Sequence, residues 1–194
     1  MPPTMSTAPL RVLGISGSLR KGSFNTALLR AAIEIATNEN LPLQFDVAEI
    51  RDIPLYDEDV RASGLPAAVQ RFRDAISAAD ALLFVTPEYN YSVPGVLKNA
   101  IDWASRPPAQ PFANKPVAIM GASGGMGGTM RAQYHLRQIS VFLDMHIVNK
   151  PEVFVRNAQN IFDPHGKLTD EATRKVVLEQ LRALIDWTRR IAHV

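Results

Sequence analysis

The sequence predicts an α/β fold: a doubly wound, five-stranded parallel sheet in the order 2-1-3-4-5, with helices on both faces. Strand-like apolar runs alternate with helical patterns along all 194 residues, which predicts parallel strands joined by helical crossovers. Residues 81–85 and 116–120 are continuously apolar, as strands buried on both faces are. With 46% hydrophobic and 21% charged residues, the chain is long enough for one full core. We therefore expect one domain over residues 1–194, with a disordered tail at residues 1–9.

Local signals position the elements of the first half of the chain. The first strand is expected at residues 10–15 and the first helix at residues 25–38. Residues 43–49 alternate apolar and polar side chains, which favours a strand near an edge of the sheet. Residues 50–63 are predicted to lack a helix, because they contain Pro54 and an acidic cluster. Pro66 suits a first helical turn, so the second helix is expected at residues 67–79.

The second half continues the alternation. Strand three (residues 81–85) precedes a helix at residues 95–105, and strand four (116–120) precedes a helix that Thr129 could cap and that ends near Leu143. Strand five is expected within residues 146–155, interrupted near Pro151, and the last helix at residues 170–192. Ligands of such sheets lie at the carboxyl ends of the strands. Three segments should therefore meet there, which we name the first loop (residues 16–25), the second loop (86–94) and the third loop (121–128).

The first loop has the composition of an anion site. Its small residues and cations lie between a strand and a helix start, where backbone N–H groups converge and the helix adds unpaired donors with a partial positive charge. Ser18, Ser23, Asn25 and Thr26 can add donors, and Arg20 can add a bidentate charged contact. The loop has neither the P-loop ending nor the dinucleotide glycine pattern, so a mononucleotide phosphate fits better. A simple turn is the alternative.

The second and third loops suit the rest of such a ligand. In the second loop, two prolines and a glycine fix an irregular backbone around Tyr89, Asn90 and Tyr91. Flat aromatic rings and free backbone N–H groups suit a planar heterocycle, while a surface loop with ordinary aromatic packing is a nearly equal interpretation. The third loop is rich in glycine, which could allow close approach to a ligand or serve only the turn.

The residues of these loops resemble those of the NADPH-dependent FMN reductase family, a flavodoxin-like group that includes quinone and chromate reductases. The likeness extends from residue 10 to about residue 155. In the first loop the matching residues are Gly17, Ser18, Leu19, Arg20, Ser23 and Asn25. In and after the second loop they are Pro87, Glu88, Tyr89, Asn90, Ser92, Pro94, Gly95, Leu97, Lys98, Asn99, Ile101, Asp102 and Trp103. Within this family, residues 131–134 and 151–152 resemble those of the bacterial quinone and chromate reductases.

The resemblance implies noncovalently bound FMN, with NAD(P)H as co-substrate. The implied phosphate-binding residues are Ser16, Ser18, Arg20, Ser23, Asn25 and Thr26. The implied contacts of the isoalloxazine ring are Pro87, Glu88, Tyr89 and Asn90 on one side and Ser123 and Gly124 on the other. No catalytic residue is predicted, because the flavin itself carries the hydride. Glu88 could act as an acid or base, but we expect it to contact the ring through its backbone.

The implied activity is transfer of hydride from NAD(P)H through FMN to quinones, or to free flavin, azo compounds or metal oxyanions such as chromate. The two half-reactions would alternate in one pocket. A flavodoxin-type electron carrier and a flavin-binding regulatory module are the alternatives. Such carriers are usually strongly acidic, whereas this chain has a net charge of +2.

Composition excludes several other classes of protein. The absence of cysteine excludes disulfides and thiol catalysis, and the four histidines show no ligand spacing, so no metal site is expected. The N-terminal residues do not read as a signal peptide and no apolar run reaches membrane-spanning length, which favours a cytoplasmic protein without membrane insertion. The net charge is too small to indicate nucleic acid as a partner.

The third predicted helix suggests self-association. Its apolar residues cover more than the one face that packing on a sheet requires, so a second surface should be buried by a symmetric partner. On the following helix, Arg131 and Tyr134 share one face, and Glu152 could pair with either. We therefore expect a homodimer, joined into a homotetramer through these three residues. An internal or solvated polar set is the alternative.

Overall fold

The computed structural model describes residues 8–192, and its sheet has the predicted strand order. The strands are β1 (Leu10–Ser16), β2 (Leu43–Ala48), β3 (Ala81–Val85), β4 (Pro116–Ala122), β5 (His146–Ile147) and β6 (Val153–Val155). They pair in parallel in the order β2-β1-β3-β4-β5, which confirms the flavodoxin-like arrangement. The predicted fifth strand is two short strands on either side of Pro151, and both pair with β4. Residues 1–7 of the predicted tail lie outside the described residues.

Six α-helices accompany the sheet in the described part of the chain. They are α1 (Phe24–Asn38), α2 (Glu58–Ala62), α3 (Ala67–Ala78), α4 (Gly95–Ala104), α5 (Met130–Leu143) and α6 (Glu171–Ile191). All but α2 agree closely with the predicted helices. None of the helices in residues 8–192 combines the length and the apolar character needed to cross a bilayer.

Two apolar cores cover the two faces of the sheet, because successive strand residues point to opposite sides. Val12, Leu83 and Val85 pack with α1 and α6, whereas Leu13 and Phe84 pack with α3, α4 and α5. β3 and β4 are buried along their full length. This rigid centre fixes the carboxyl ends of β1, β3 and β4, from which the three loops emerge.

The prediction that residues 50–63 contain no helix was wrong, since α2 forms there. The Asp57 carboxylate accepts a hydrogen bond from the Asp59 N–H at 2.8 Å and caps the helix. One turn on, Arg61 Nε donates to Glu58 at 2.9 Å. Hydrogen bonds from Arg61 and then Tyr56 lower the pKa of the Glu58 carboxyl to about 2. The acidic cluster therefore begins a helix, because acidic residues favour the first turn.

The apolar residues of α4 that do not face the sheet are covered by other parts of the same chain. They therefore no longer indicate a symmetric partner at this helix. Trp103 is fully buried and packs edge-on against the Tyr56 ring, with centroids 4.9 Å apart. Its indole N–H donates to the Pro54 carbonyl at 2.8 Å. The irregular segment before α2 therefore covers the second apolar face of α4, a contact that helical periodicity alone could not reveal.

Candidate cofactor site

The three loops meet at the carboxyl ends of β1, β3 and β4. The Gly17 N–H donates to the Val85 carbonyl at 2.8 Å, and the Thr86 N–H donates to the Met120 carbonyl at 3.0 Å. A Cβ at Gly121 would lie 2.3 Å from the Thr86 carbonyl oxygen, so only glycine fits where the second and third loops touch. The convergence predicted from the sheet topology is confirmed.

Ser23 shapes the first loop by capping α1. Its Oγ accepts hydrogen bonds from the N–H groups of Asn25 (3.1 Å) and Thr26 (3.4 Å), and the residue is buried. The hydroxyl that the sequence assigned to a phosphate is thus held by the helix. Within residues 8–192, the N–H groups of Gly22 and Phe24 make no hydrogen bond to the protein. They are available to an anion, as the first donors of a helix usually are.

Asn25 joins the first loop to β4. Its Nδ2 donates to the Ala122 carbonyl and its Oδ1 accepts from the Ala122 N–H, both at 2.9 Å, in a buried position. Both ends of the side-chain amide are therefore used inside the protein. The sequence could mark Asn25 as a polar residue at a helix start, but not its partner 97 residues away.

The remaining hydroxyls of the first loop form a short chain. Ser16 Oγ lies 2.9 Å from Thr26 Oγ1, and the Ser18 N–H donates weakly to Ser16 Oγ at 3.4 Å. Arg20 is exposed, and its Nη2 donates to the Gly22 carbonyl at 3.2 Å. These residues keep capacity for a ligand, because a hydroxyl can donate one hydrogen bond and accept two, and Arg20 has further N–H donors.

A cleft of about 220 Å³ opens between the first loop and the end of β2. Four of the six predicted phosphate-binding residues line it: Ser16, Ser18, Arg20 and Thr26. The opposite wall contains Arg51, whose Nη2 donates to the Leu19 carbonyl at 2.6 Å. Sequence reasoning missed Arg51 as a lining residue, since it follows an edge strand and carries no motif. Three cationic side chains and three hydroxyls thus line the cleft beside one carboxylate, Glu49, and this net positive lining suits a phosphate.

The second loop contains a tight hairpin turn. Tyr89 and Ser92 exchange backbone hydrogen bonds of 3.1 and 3.0 Å, and the two residues between them have positive φ, 49° at Asn90 and 66° at Tyr91. This is the geometry of a type I′ turn, which asparagine tolerates and tyrosine adopts only with strain. Tyr89 and Tyr91 are exposed at its rim. The loop is therefore a well-defined platform with aromatic faces.

Glu88 ties the second loop to α5. Its Oε2 accepts from the N–H groups of Arg131 (2.9 Å) and Ala132 (3.2 Å), and its Oε1 accepts from Arg131 Nη1 at 3.1 Å. The prediction that Thr129 caps this helix was wrong. Thr129 has φ 68°, and its Oγ1 accepts from Gln133 Nε2 at 3.1 Å instead of from a first-turn N–H. Glu88 supplies the cap from another part of the chain.

Two further contacts join the second loop to α5. The Arg131 guanidinium lies over the Tyr91 ring, 3.7 Å from its centroid. Ser92 Oγ lies 2.9 Å from His135 Nδ1, one turn along the helix. The sequence aligned Arg131 with its family motif but gave no signal that these contacts return to the second loop.

The third loop forms the other lip of the site. The Ser123 N–H donates to the Val155 carbonyl at 3.0 Å, and Ser123 Oγ exchanges hydrogen bonds of 3.3 Å with Gly125. Gly124 is exposed, and a Cβ there would lie 3.3 Å from Gln159 Oε1. Both predicted residues thus lie at the open end of β4. The short β6 strand, which supplies Val155, holds this lip in place.

Tyr134 and Glu152 pair within the chain, as the sequence allowed. The Tyr134 hydroxyl donates to Glu152 Oε1 at 2.9 Å, and Lys150 Nζ donates to Glu152 Oε2 at 3.2 Å. Burial disfavours the charged form of Glu152, but these hydrogen bonds together lower the pKa of its carboxyl. The same bond raises the pKa of Tyr134. Arg131, in contrast, pairs with Glu88.

The observed donors fit FMN. The dianionic phosphate requires several donors, and the cleft is lined by three hydroxyls and three cationic side chains, while the unbonded N–H groups of Gly22 and Phe24 lie on the adjoining part of the first loop. A planar ring binds best to a flat, preformed surface of the protein. The strained hairpin of the second loop, with its exposed aromatic rings, provides such a surface. The small residues of the third loop leave space for the ring on the side opposite the hairpin.

Known proteins carry the same sequence features. The pattern of a family described as NADPH-dependent FMN reductase matches residues 10–160. An NAD(P)H-dependent FMN reductase of Pseudomonas aeruginosa is 60% identical over 182 residues, covering 94% of this chain and 97% of its own length. A quinone reductase of Escherichia coli K12 is 48% identical over 187 residues, covering 94% and 97%.

A solved structure agrees with these relatives. FerB, a flavoenzyme NAD(P)H:(acceptor) oxidoreductase from Paracoccus denitrificans, superposes with a TM-score of 0.84 at 36% identity, covering 93% of this chain and 98% of that protein. The family pattern spans all three loops, and the relatives match over nearly their whole length. This chain therefore belongs to the NADPH-dependent FMN reductase family.

Proposed function

We propose that this protein is an FMN-dependent NAD(P)H oxidoreductase that passes hydride from NAD(P)H to quinones or other small oxidants. The observation that carries this proposal is that the first loop, with its polar cleft, and the second loop, with its exposed aromatic hairpin, follow the neighbouring strands β1 and β3 at the switch point of the sheet. Membership of the family and the names of the relatives point the same way.

The first loop would hold the FMN phosphate. We assign direct contacts to Ser16, Ser18, Arg20 and Thr26, which line the cleft, and add Arg51 on its opposite wall. The remaining two predicted residues, Ser23 and Asn25, would act chiefly by keeping the free N–H groups in place, because neither lines the cleft, Ser23 Oγ caps α1 and the Asn25 amide is bonded to Ala122.

The second and third loops would position the ring. Residues 87–90 would contact one edge, and Ser123 and Gly124 would close the other side. Bound FMN would supply the chemistry, accepting hydride at N5 and releasing two electrons to the oxidant. The chain's part is to leave one ring face open to NAD(P)H and the oxidant in turn, and to direct N–H donors at the developing negative charge. We assign Glu88 a structural role instead of an acid–base role, because both of its oxygens accept hydrogen bonds from α5.

Quinones are the acceptors we favour, because relatives at 48–50% identity are named quinone reductase and NADPH:quinone oxidoreductase. Free flavin, azo compounds and chromate are further acceptors that an open pocket would admit. We also propose that the protein acts in the cytoplasm, as a homodimer that pairs into a homotetramer. The exposed Tyr134, Val141 and Phe142 give α5 an unusually apolar outer face for such contacts.

One steady-state experiment separates this function from its alternatives. Apoprotein is mixed with NADPH or NADH and a soluble benzoquinone, with and without added FMN. Catalytic oxidation of the nicotinamide that requires FMN is expected. An electron carrier would be reduced only stoichiometrically, and a regulatory flavin module would bind FMN but oxidise no NAD(P)H. Light scattering during gel filtration tests assembly, since a single mass near 21.4 kDa with full activity would contradict the oligomer.

A further inference from the structure

The N-terminus of α5 depends on a side chain from another loop. Among residues 8–192, the first-turn N–H groups of Arg131 and Ala132 find a side-chain acceptor only in Glu88, 43 and 44 positions earlier. Thr129, directly before the helix, makes no capping bond. Because the third loop leads into α5, the Glu88 carboxylate links the second loop to the end of the third.

The same carboxylate is neutralised by the helix that it caps. Glu88 Oε1 lies 3.1 Å from Arg131 Nη1, with side-chain exposures of 13% for Glu88 and 41% for Arg131. The partial positive charge of the helix N-terminus adds to the arginine. The guanidinium also stacks on Tyr91 of the strained turn, 3.7 Å from the ring centroid. Glu88 and Arg131 therefore form a charge-balanced pair inside the ring-binding region.

We propose that Glu88 and Arg131 are a positioning pair with two effects: they fix the separation of the second and third loops, and they cancel each other's charge beside the flavin. This inference rests on the proposed function for the flavin and its ring contacts. The ion pair itself, and its hydrogen bonds with α5, do not depend on the flavin. The two effects can therefore be measured separately.

The charge effect is tested by opposite shifts in reduction potential. E88Q keeps an oxygen acceptor but leaves the positive charge of Arg131 uncompensated, which favours two-electron reduction of bound FMN. R131Q leaves a negative charge and opposes reduction. We expect each equilibrium constant to change about tenfold, equivalent to about 30 mV for a two-electron couple, in opposite directions. The double variant E88Q/R131Q should return toward the wild-type potential.

The geometric effect is tested in the apoprotein by amide hydrogen exchange. E88A removes the cap, so exchange at the Arg131 and Ala132 amides should accelerate at least about tenfold, whereas E88Q should retain part of the protection. E39Q is the matched control. It also removes a carboxylate paired with an arginine, since Glu39 Oε2 lies 3.5 Å from Arg182, but at the far side of α1. It should change neither the potential nor exchange in α5.

Two results would overturn the proposal. One is potentials that shift in the same direction, or not at all, in E88Q and R131Q with FMN fully bound. The other is exchange at Arg131 and Ala132 that is indifferent to E88A. If the wild-type protein binds no FMN, the proposed function fails, while the apoprotein exchange still decides whether Glu88 holds α5.

Discussion

The first and second loops both face the candidate site, but different forces hold them. The buried end of the first loop, where α1 begins, is fixed by neutral hydrogen bonds: Ser23 caps its own helix, and Asn25 pairs with Ala122 deep inside the protein. The second loop is fixed by charge, through Glu88 and Arg131 at the surface of α5. It also carries backbone strain at Asn90 and Tyr91, which the first loop lacks in the described structure.

The contrast indicates a division of labour. A buried neutral network is insensitive to salt and pH, so it suits a part that must hold a cofactor permanently. A partly exposed charged contact is weaker and responds to its surroundings, so it suits the part that faces changing substrates. Variants of the first loop should therefore affect stability and cofactor affinity most, and variants of the second loop should mainly affect spectra and rates.

Asn25→Ala should have the largest effect. It leaves the buried N–H and carbonyl of Ala122 without partners, and each such group costs about 1–3 kcal/mol. The free energy of unfolding should therefore fall by about 2–6 kcal/mol, measured by urea denaturation. Asn38→Ala, at the exposed end of the same helix, is the control and should cost far less. An equal loss of unfolding free energy in both variants would contradict a particular stabilising role for the contact between Asn25 and Ala122.

Arg20→Ala should weaken FMN binding about ten- to a hundredfold, since a charged hydrogen bond contributes about 1.5–3 kcal/mol. Ser18→Ala should have a smaller effect in the same direction. Quenching of flavin fluorescence gives both affinities. Arg71→Ala, an exposed arginine on α3, controls for the loss of a charge. Unchanged affinity in both first-loop variants would place the phosphate elsewhere.

Asn90→Ala should change function more than stability. Alanine at φ 49° costs about 1–2 kcal/mol, so the turn should shift and take the ring contacts with it. Altered visible absorbance of bound FMN and slower reduction by NADPH in stopped flow are expected. Asn90→Gly accepts the same φ and should restore the turn. If the alanine variant keeps the wild-type spectrum and rate, this turn does not touch the ring.

The smallest effect concerns pH and Glu152. Its pKa is lowered below the ordinary glutamate value of 4.5 in the folded protein, so its contribution to stability is full above about pH 4.5 and is lost as pH falls through the lowered value. Glu152→Gln should therefore lose a small part of the acid sensitivity of unfolding below about pH 4.5. Urea midpoints across that range test this. Identical pH profiles for both proteins would contradict it.

The sheet and the first loop could be predicted because their signals are local. Continuous apolar runs mark β3 and β4, and the small polar residues before α1 mark, within a dozen positions, the loop that we propose as the anion site. The contacts that were missed join distant positions: Glu88 to α5, Arg51 to Leu19, and Trp103 to the Pro54 carbonyl. Such pairs leave no periodicity in one sequence. The short helix α2 was missed for another reason, because five residues are too few to show a helical pattern.

The pairing of Asn25 with Ala122 has a thermodynamic consequence for ligand binding. The side-chain amide pairs with the backbone of β4 as a neighbouring strand would, so opening the start of α1 also breaks two hydrogen bonds to the sheet. If the first loop binds the phosphate as proposed, its donors are already ordered, and binding should cost little conformational entropy. Affinity for the cofactor should consequently vary with the tightness of β4 and α1, even when a substitution touches no atom of the loop.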